Sequence, residues 1–471
     1  MNSKYKNLLK DTFVFAIGKF GSRIILFVLV PLYTNYLSRS EYGIADLIFT
    51  ISQLLIPLFS VVIFNGVMRF GLAKDEKKEN VLLNAFVVLI GTIIISVLVT
   101  PIYSLYSSIA PWRWYLTGII ISASSMDVEM NYLKVFDKNL AYSIISIIQA
   151  AVLAGSNIIF LIVFSMGVRG YLLATIISYV SSIILSFFSG RIFADIKKAT
   201  FDKALLRQML LFSAPLILNN ISWWIIQSSD KLMLERMIDS SALGLYTAAT
   251  KIPSLINVLI SIFHLSWGIS SIKEYESSNQ LGFYSNIFKG FSFLVFASCI
   301  ILISVVKPFM SIYVGEEFFE AWHYTPILIA SAGFSAMTIF FGTLYGALKK
   351  TKNNMTTTVI GAVLNLIVNY FAISYVGIWG ALIGTIVSYF VVALLRLIEI
   401  HKYLPFEINF YVVALNSLLV VVDAILISMD FHIIIVSLVS LILFVIINMS
   451  VINKMVKLTQ NMLARRKNKN A

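Results

Sequence analysis

Gly167-Val-Arg-Gly-Tyr-Leu-Leu-Ala-Thr-Ile-Ile-Ser-Tyr179 and Gly377-Ile-Trp-Gly-Ala-Leu-Ile-Gly-Thr-Ile-Val-Ser-Tyr389 are nearly the same stretch written twice, 210 positions apart. Each lies inside a long apolar run, so the chain carries a duplicated membrane domain. Duplication of this kind is the architectural signature of secondary transporters, whose repeats rock about a central site. Transport is therefore the first functional expectation. A second match supports the duplication at an offset of 201, where Ser40-Glu-Tyr-Gly-Ile44 aligns with Ser241-Ala-Leu-Gly-Leu245. The difference between the two offsets is an ordinary change in loop length.

Working outward, the 471 residues are 59% hydrophobic and only 13% charged, with a mean hydropathy of +0.88. Soluble domains carry charge on roughly a quarter of their residues, so this chain belongs in a bilayer. Fourteen apolar runs of about 20 residues, the length that crosses the hydrocarbon core, begin near Thr12, Tyr42, Val81, Arg113, Ala141, Gly170, Arg207, Ala242, Asn286, Ala321, Met355, Ile378, Phe410 and His432. The expected fold is an all-α integral membrane protein with two six-helix lobes around a central cavity and two C-terminal helices. Six is even, so both lobes enter from the same side and form a parallel repeat. The expected domains are 1–195, a linker at 196–206, a second lobe at 207–403, and 404–471 with the last two helices and a basic tail. The first apolar run is too long for a cleaved signal and should remain in the mature protein.

Around the linker, Lys197, Lys198 and Lys203 mix with Phe201, Leu205 and Leu206, a pattern that suits an amphipathic surface helix or a plain basic loop equally. Pro57 and Pro253 each remove a helix hydrogen bond and favour a kink.

A net charge of +13 raises the question of nucleic acid, which the distribution of the 36 Lys and Arg answers. With the N-terminus inside, the odd loops hold only Arg39, Arg113, Arg169, Lys231, Arg236 and Lys307, and Lys19, Arg23 and Lys251 fall within spans. The remainder sit at the termini and in the even loops. That is the positive-inside pattern with both termini cytoplasmic, and Arg465-Arg-Lys-Asn-Lys469 reads as an anchor against anionic lipid. No nucleic acid is needed. The single cysteine, Cys299, excludes an intramolecular disulfide. His264, His323, His401 and His432 match no metal spacing. No phosphate loop, nucleophile elbow or HExxH is present, so neither an enzyme nor a cofactor is expected.

The chemistry lies in polar residues within the spans. Lys19 and Arg23 are four apart and share a helix face about 6 Å apart. Each costs on the order of 3 kcal/mol near the bilayer centre, so something anionic or aqueous must face them. Lys251 adds a third cation in the second half. Asp46, Asp127, Glu129 and Asp230 are carboxylates that could pair with the cations or bind a coupling proton or sodium ion. Asn219, Asn220, Trp223, Trp224 and Gln227 form an amide and aromatic cluster that suits either a glycan path or membrane anchoring.

Gly21-Ser-Arg-Ile-Ile-Leu-Phe-Val-Leu-Val-Pro-Leu-Tyr-Thr-Asn-Tyr-Leu-Ser-Arg-Ser-Glu-Tyr-Gly-Ile44, with Ser229-Asp-Lys-Leu-Met-Leu234 and Gly244-Leu-Tyr-Thr-Ala-Ala-Thr-Lys-Ile-Pro253, resembles the Wzx-type polysaccharide flippases of the multidrug/oligosaccharidyl-lipid/polysaccharide (MOP) exporter superfamily. The resemblance covers essentially the whole chain. It implies export of an undecaprenyl-pyrophosphate-linked oligosaccharide across a bacterial cytoplasmic membrane by alternating access, with Lys19, Arg23 and Lys251 receiving the pyrophosphate. It also implies a proton gradient, a sodium gradient or the membrane potential as driving force, and a polymerase and glycosyltransferases as candidate partners. The similar lipid II flippases place arginines in their first, second and eighth helices, whereas this chain has no arginine buried in the second and a lysine in the eighth. Two other readings remain: a MATE-like exporter of cationic drugs, which calls for a carboxylate-rich site, and a membrane glycan polymerase or ligase, which calls for a large outer loop.

Overall fold

The computed structural model describes residues 24–73, 75–276 and 280–454, which are helical with short connections and no strands. The helices are α1 (Val30–Tyr36), α2 (Arg39–Phe59), α3 (Ile63–Gly71), α4 (Lys78–Val99), α5 (Arg113–Val135), α6 (Asn139–Asn157), α7 (Gly167–Gly190), α8 (Ile192–Lys198), α9 (Lys203–Met237), α10 (Ser240–Ala249), α11 (Pro253–Lys273), α12 (Gln280–Tyr313), α13 (Thr325–Ala347), α14 (Thr351–Val376), α15 (Ile378–Tyr403), α16 (Phe410–Ser428) and α17 (Ile433–Ile447). Among the described residues ten helical segments are long and apolar enough to cross a membrane, or eleven if α10 and α11 count as one broken span. The other three expected spans meet helices outside that set. Ile24–Tyr36 is only the described part of the first expected span, Ile433–Ile447 is shorter, and α5 carries Arg113, Asp127, Glu129 and Lys134.

The duplicated stretch has a physical reason. Gly167 and Gly377 both stand at positive φ, +54° and +61°, in the turns that open α7 and α15. A side chain there would be strained, and glycine is not. Three residues on, a Cβ at Gly170 would lie 2.9 Å from Phe160 Cβ, and one at Gly380 would fall on the Ala372 backbone. The second glycine of each copy thus lets the helix pack against its predecessor, the small-residue device of membrane bundles. The shorter offset is equally concrete: α1 ends at Tyr36 and α2 starts at Arg39, while α9 ends at Met237 and α10 starts at Ser240.

The chain forms two compact units, one of residues 1–248 with 314–318 and one of 249–313 with 319–471. In the first, Ala45, Leu47 and Ile48 of α2 pack with Leu116, Ile119 and Ile120 of α5 and Leu172 of α7. A second cluster joins Ile63 and Val67 of α3, Val81 and Ala85 of α4, and Tyr132 of α5 to Ile192, Leu205 and Met209. The linker is therefore docked through Leu205, with Ile192 just before it in the same cluster, and Asp202 caps α9 by accepting from the Ala204 and Leu205 amides. Pro57 stands near the end of α2 and the helix breaks before α3, with Val61 and Val62 at positive φ. Pro253 opens α11 after a break at residues 250–252, where its missing N–H costs nothing.

In the second unit α13 is the central helix, with 78% of its apolar window buried. Its run Ala330-Ser-Ala-Gly-Phe-Ser-Ala336 is mostly small residues, which admit neighbours closely. Aromatic rings fill the space beside it: Trp267 stacks on Phe340 at 4.7 Å and Phe263 lies 4.4 Å from Phe291. The hairpin α16–α17 is closed by a polar seam. Asn416 and Asn448 exchange amide hydrogen bonds of 3.2 and 2.9 Å, and Ser440 Oγ donates to Asp423 at 2.8 Å.

Candidate functional site: buried charges of the two units

In the first unit, polar residues of α2, α9 and α10 converge on Asp46, which is 4% exposed. Its Oδ2 accepts from Lys231 Nζ at 2.7 Å and from Thr247 Oγ1 at 3.1 Å, with Thr50 Oγ1 at 3.5 Å. Beside it, Tyr246 donates its hydroxyl to the buried Asp230. The helices reach one another because they lack side chains where they cross. A Cβ on Gly43 would fall on the Ser240 carbonyl oxygen, and one on Gly244 on that of Arg39. Gly43 with Gly244 and Asp46 with Thr247 are pairs related by the 201 offset. Repeat-equivalent positions therefore touch each other, which places a local two-fold axis between α2 and α10.

Two loops are seated at the same helix ends. Gly315 N donates to Thr34 Oγ1 at 3.0 Å, Arg39 Nε donates to the Glu317 carbonyl, and Phe318 packs edge-on against Tyr42 at 5.8 Å. At the end of α9, Glu235 accepts from the hydroxyls of Tyr106 and Ser108. Thr34 and Glu235 are again 201 apart. Burial and the Glu235 carboxylate together hold the Tyr106 phenol above the usual tyrosine range.

The second unit has a buried cation of a different kind. Arg396 of α15 is 1% exposed. Its Nε donates to Thr357 Oγ1 at 2.9 Å, Nη1 to Thr338 O at 2.8 Å, and Nη2 to Thr358 Oγ1 at 2.8 Å and Asn354 O at 3.2 Å. Gly342 of α13 leaves room for it, since a Cβ there would lie 2.5 Å from Nη1. One turn on, Glu399 accepts from Tyr345 and Asn353.

Two sequence assignments change. Lys231 and Arg396 are not loop cations: both lie inside helices, Lys231 paired with Asp46 and Arg396 fixed among neutral oxygens. The signal for Lys231 was Asp46 itself, a carboxylate in a span that needed a positive partner. Lys251, expected within a span, stands at the break between α10 and α11, half-buried, with its carbonyl accepting from Ser254 Oγ at 2.5 Å. Lys19, Arg23 and the basic tail lie outside the described residues.

Of the remaining carboxylates, Glu129 is 2% exposed and accepts from Ser186 Oγ at 2.5 Å, tying α5 to α7. Asp127 is half-buried two residues before it, so the two occupy different faces of α5. In the amide and aromatic cluster, Trp224 turns inward and donates Nε1 to Thr50 O at 2.9 Å. Asn220 Nδ2 donates to Leu216 O, Trp223 is half-buried, and Asn219 and Gln227 are exposed. Among the described residues no group of three or more His, Cys, Asp or Glu could hold a metal ion.

The model of the polysaccharide biosynthesis protein family matches residues 8–266, more than half of the chain. This protein belongs to that family and to the MOP exporter superfamily. The MatE family model also matches this exporter, over residues 215–371. Its fold is similar to that of the lipid II flippase MurJ in an inward closed conformation, at a TM-score of 0.67 and 17% identity over 92% of this chain and 99% of that one. It is also similar to an inward-facing multidrug resistance MATE transporter, at 0.65 and 14% over 81% and 98%. The Vibrio cholerae MATE transporter VcmN, as its D35N mutant, follows at 0.57 and 14% over 86% and 98%. No curated protein matches the sequence. The exporter is a multi-pass membrane protein with the fold of MOP transporters, and its relatives are transporters rather than enzymes.

Proposed function

We propose that this exporter translocates an undecaprenyl-pyrophosphate-linked oligosaccharide, such as an O-antigen or capsule repeat unit, by alternating access in a bacterial cytoplasmic membrane, with both termini cytoplasmic. The observation that carries this reading is the polysaccharide biosynthesis family match over residues 8–266. The charges agree with it. A MATE-like site for cationic drugs needs exposed carboxylate, whereas Asp46 is bound to Lys231 and Asp230 to Tyr246. Lys19, Arg23 and Lys251 are proposed to meet the pyrophosphate, and Asn219, Asn220, Trp223 and Gln227 the sugars. An anionic cargo moving outward is assisted by an inside-negative potential. Asp127 and Glu129 are the proposed ion-coupling carboxylates.

The test is export in a strain lacking other flippases. Removal of the protein should leave a lipid-linked oligosaccharide accumulated in the cell, and Lys19→Ala or Arg23→Ala should reproduce that accumulation. Normal surface polysaccharide in both variants takes these cations out of the mechanism. Loss of resistance to cationic drugs with normal polysaccharide would favour the MATE-like reading.

A further inference from the structure

A cleft of about 580 Å³ opens between α14 and α15 at the end where both helices carry lysine, and none of the residues proposed to meet the cargo lines it. Its walls are two facing stripes: positions 352, 356 and 360 on α14, and 395, 399 and 402 on α15. The spacings are those of a single helix face. The cleft is graded along its length. Lys352 and Lys402 stand exposed at the mouth beside Asn353; Thr356, Glu399 and the exposed Ile398 follow about one turn in; and Ile360 and Leu395 form the far end. From residue 352 to 360 this gradient covers about 12 Å of helix.

The charge in the cleft is not balanced internally. Glu399 already accepts from Tyr345 and Asn353, and Arg396 lies one turn behind it on α15. Thr356 Oγ1 donates to the Lys352 carbonyl at 3.0 Å, but neither the Lys352 nor the Lys402 ammonium group has a hydrogen bond or ion pair among the described residues. The walls are held in place independently of any occupant, because Arg396 binds Thr357 of the same cleft at 2.9 Å. Two uncommitted ammonium groups at the mouth, polar groups within the first turn and branched apolar side chains beyond them suit a phospholipid: phosphate, glycerol esters, acyl chain.

We propose that the α14–α15 cleft is a binding site for an anionic diacyl phospholipid, its phosphodiester on Lys352 and Lys402 and its first acyl carbons on Ile360 and Ile398. This lipid is a resident of the surrounding bilayer, and the site does not depend on what cargo the exporter carries.

The full-length protein in nanodiscs of mixed phosphatidylglycerol and phosphatidylcholine gives the test, with retained lipids counted by native mass spectrometry. The Lys352→Ala/Lys402→Ala double variant should lower the preference for phosphatidylglycerol roughly tenfold or more, the effect of two interfacial charges. Lys349→Ala removes a cation from the same end of the bundle without touching the cleft and should leave the preference unchanged. Ile360→Trp, which fills the apolar end, should release both lipids while keeping their ratio. The site is overturned if Lys349→Ala acts as strongly as the double variant, since the attraction is then a diffuse surface effect. Displacement of phosphatidylglycerol by glycerol phosphate alone would overturn the lipid assignment in favour of a soluble anion. A defect in oligosaccharide export bears on neither outcome.

Discussion

Lys231 in the first unit and Arg396 in the second are both cations within membrane-crossing helices, and the protein stabilises them by opposite means. Lys231 is bound to one carboxylate, Asp46, at 2.7 Å, and its side chain keeps 15% exposure. Arg396 is sealed, and four neutral oxygens from α13 and α14 take its hydrogen bonds. The difference follows from geometry. A guanidinium fork can satisfy several fixed acceptors at once, whereas an ammonium is a compact point charge that competes for whichever anion is near. An ion pair shared by three helices can be exchanged for another charge. A guanidinium woven into two neighbouring helices cannot leave without unmaking them. The lysine is thus suited to a part that changes state, and the arginine to a part that does not.

The largest expected effect tests the arginine. Arg396→Ala should cost about 3 kcal/mol or more, through lost packing and the polar groups left unmatched, and Arg396→Lys should recover less than half of it. Thermal unfolding in detergent measures both, and a lysine variant as stable as the parent would erase the contrast. Next comes the pair. Asp46→Ala and Lys231→Ala should each destabilise by about 3 kcal/mol because each strands a partly buried charge. The double variant should cost little more than either alone, and additive losses in the cycle would show that the two side chains are not coupled. The smallest effect concerns the crossing that brings α10 to Asp46. Gly43→Ala should cost about 1–3 kcal/mol by forcing backbones apart. Gly91→Ala, where a Cβ meets nothing within 4 Å, should be neutral or slightly stabilising. Equal outcomes at the two glycines would mean that the crossing tolerates a methyl group.

The helices were legible because apolar runs of membrane length leave little choice, and expected and observed starts coincide at Arg113, Ile378 and Phe410. The duplication was legible too, since its glycines are required by backbone geometry and nothing else fits them. Lys231 and Arg396 were misread for one reason. The apolar window ends before the helix does: α9 runs for 35 residues and α15 for 26. A charge past the window looks like loop in the sequence, yet on a continuing helix it can be buried by neighbours. Which acceptor satisfies it depends on contacts between residues far apart in the chain, such as positions 46 and 231, and no local pattern encodes that.

The seating of Val314–Phe318 on Thr34, Arg39 and Tyr42 bears on biogenesis. When the translocon has released every helix from α1 to α10, the amino-terminal body still lacks this piece, which emerges only after α11 and α12 have been threaded into the bilayer. Maturation therefore cannot proceed strictly in the order of translation. The earliest helices must wait, partly assembled, until more than 318 residues have left the ribosome.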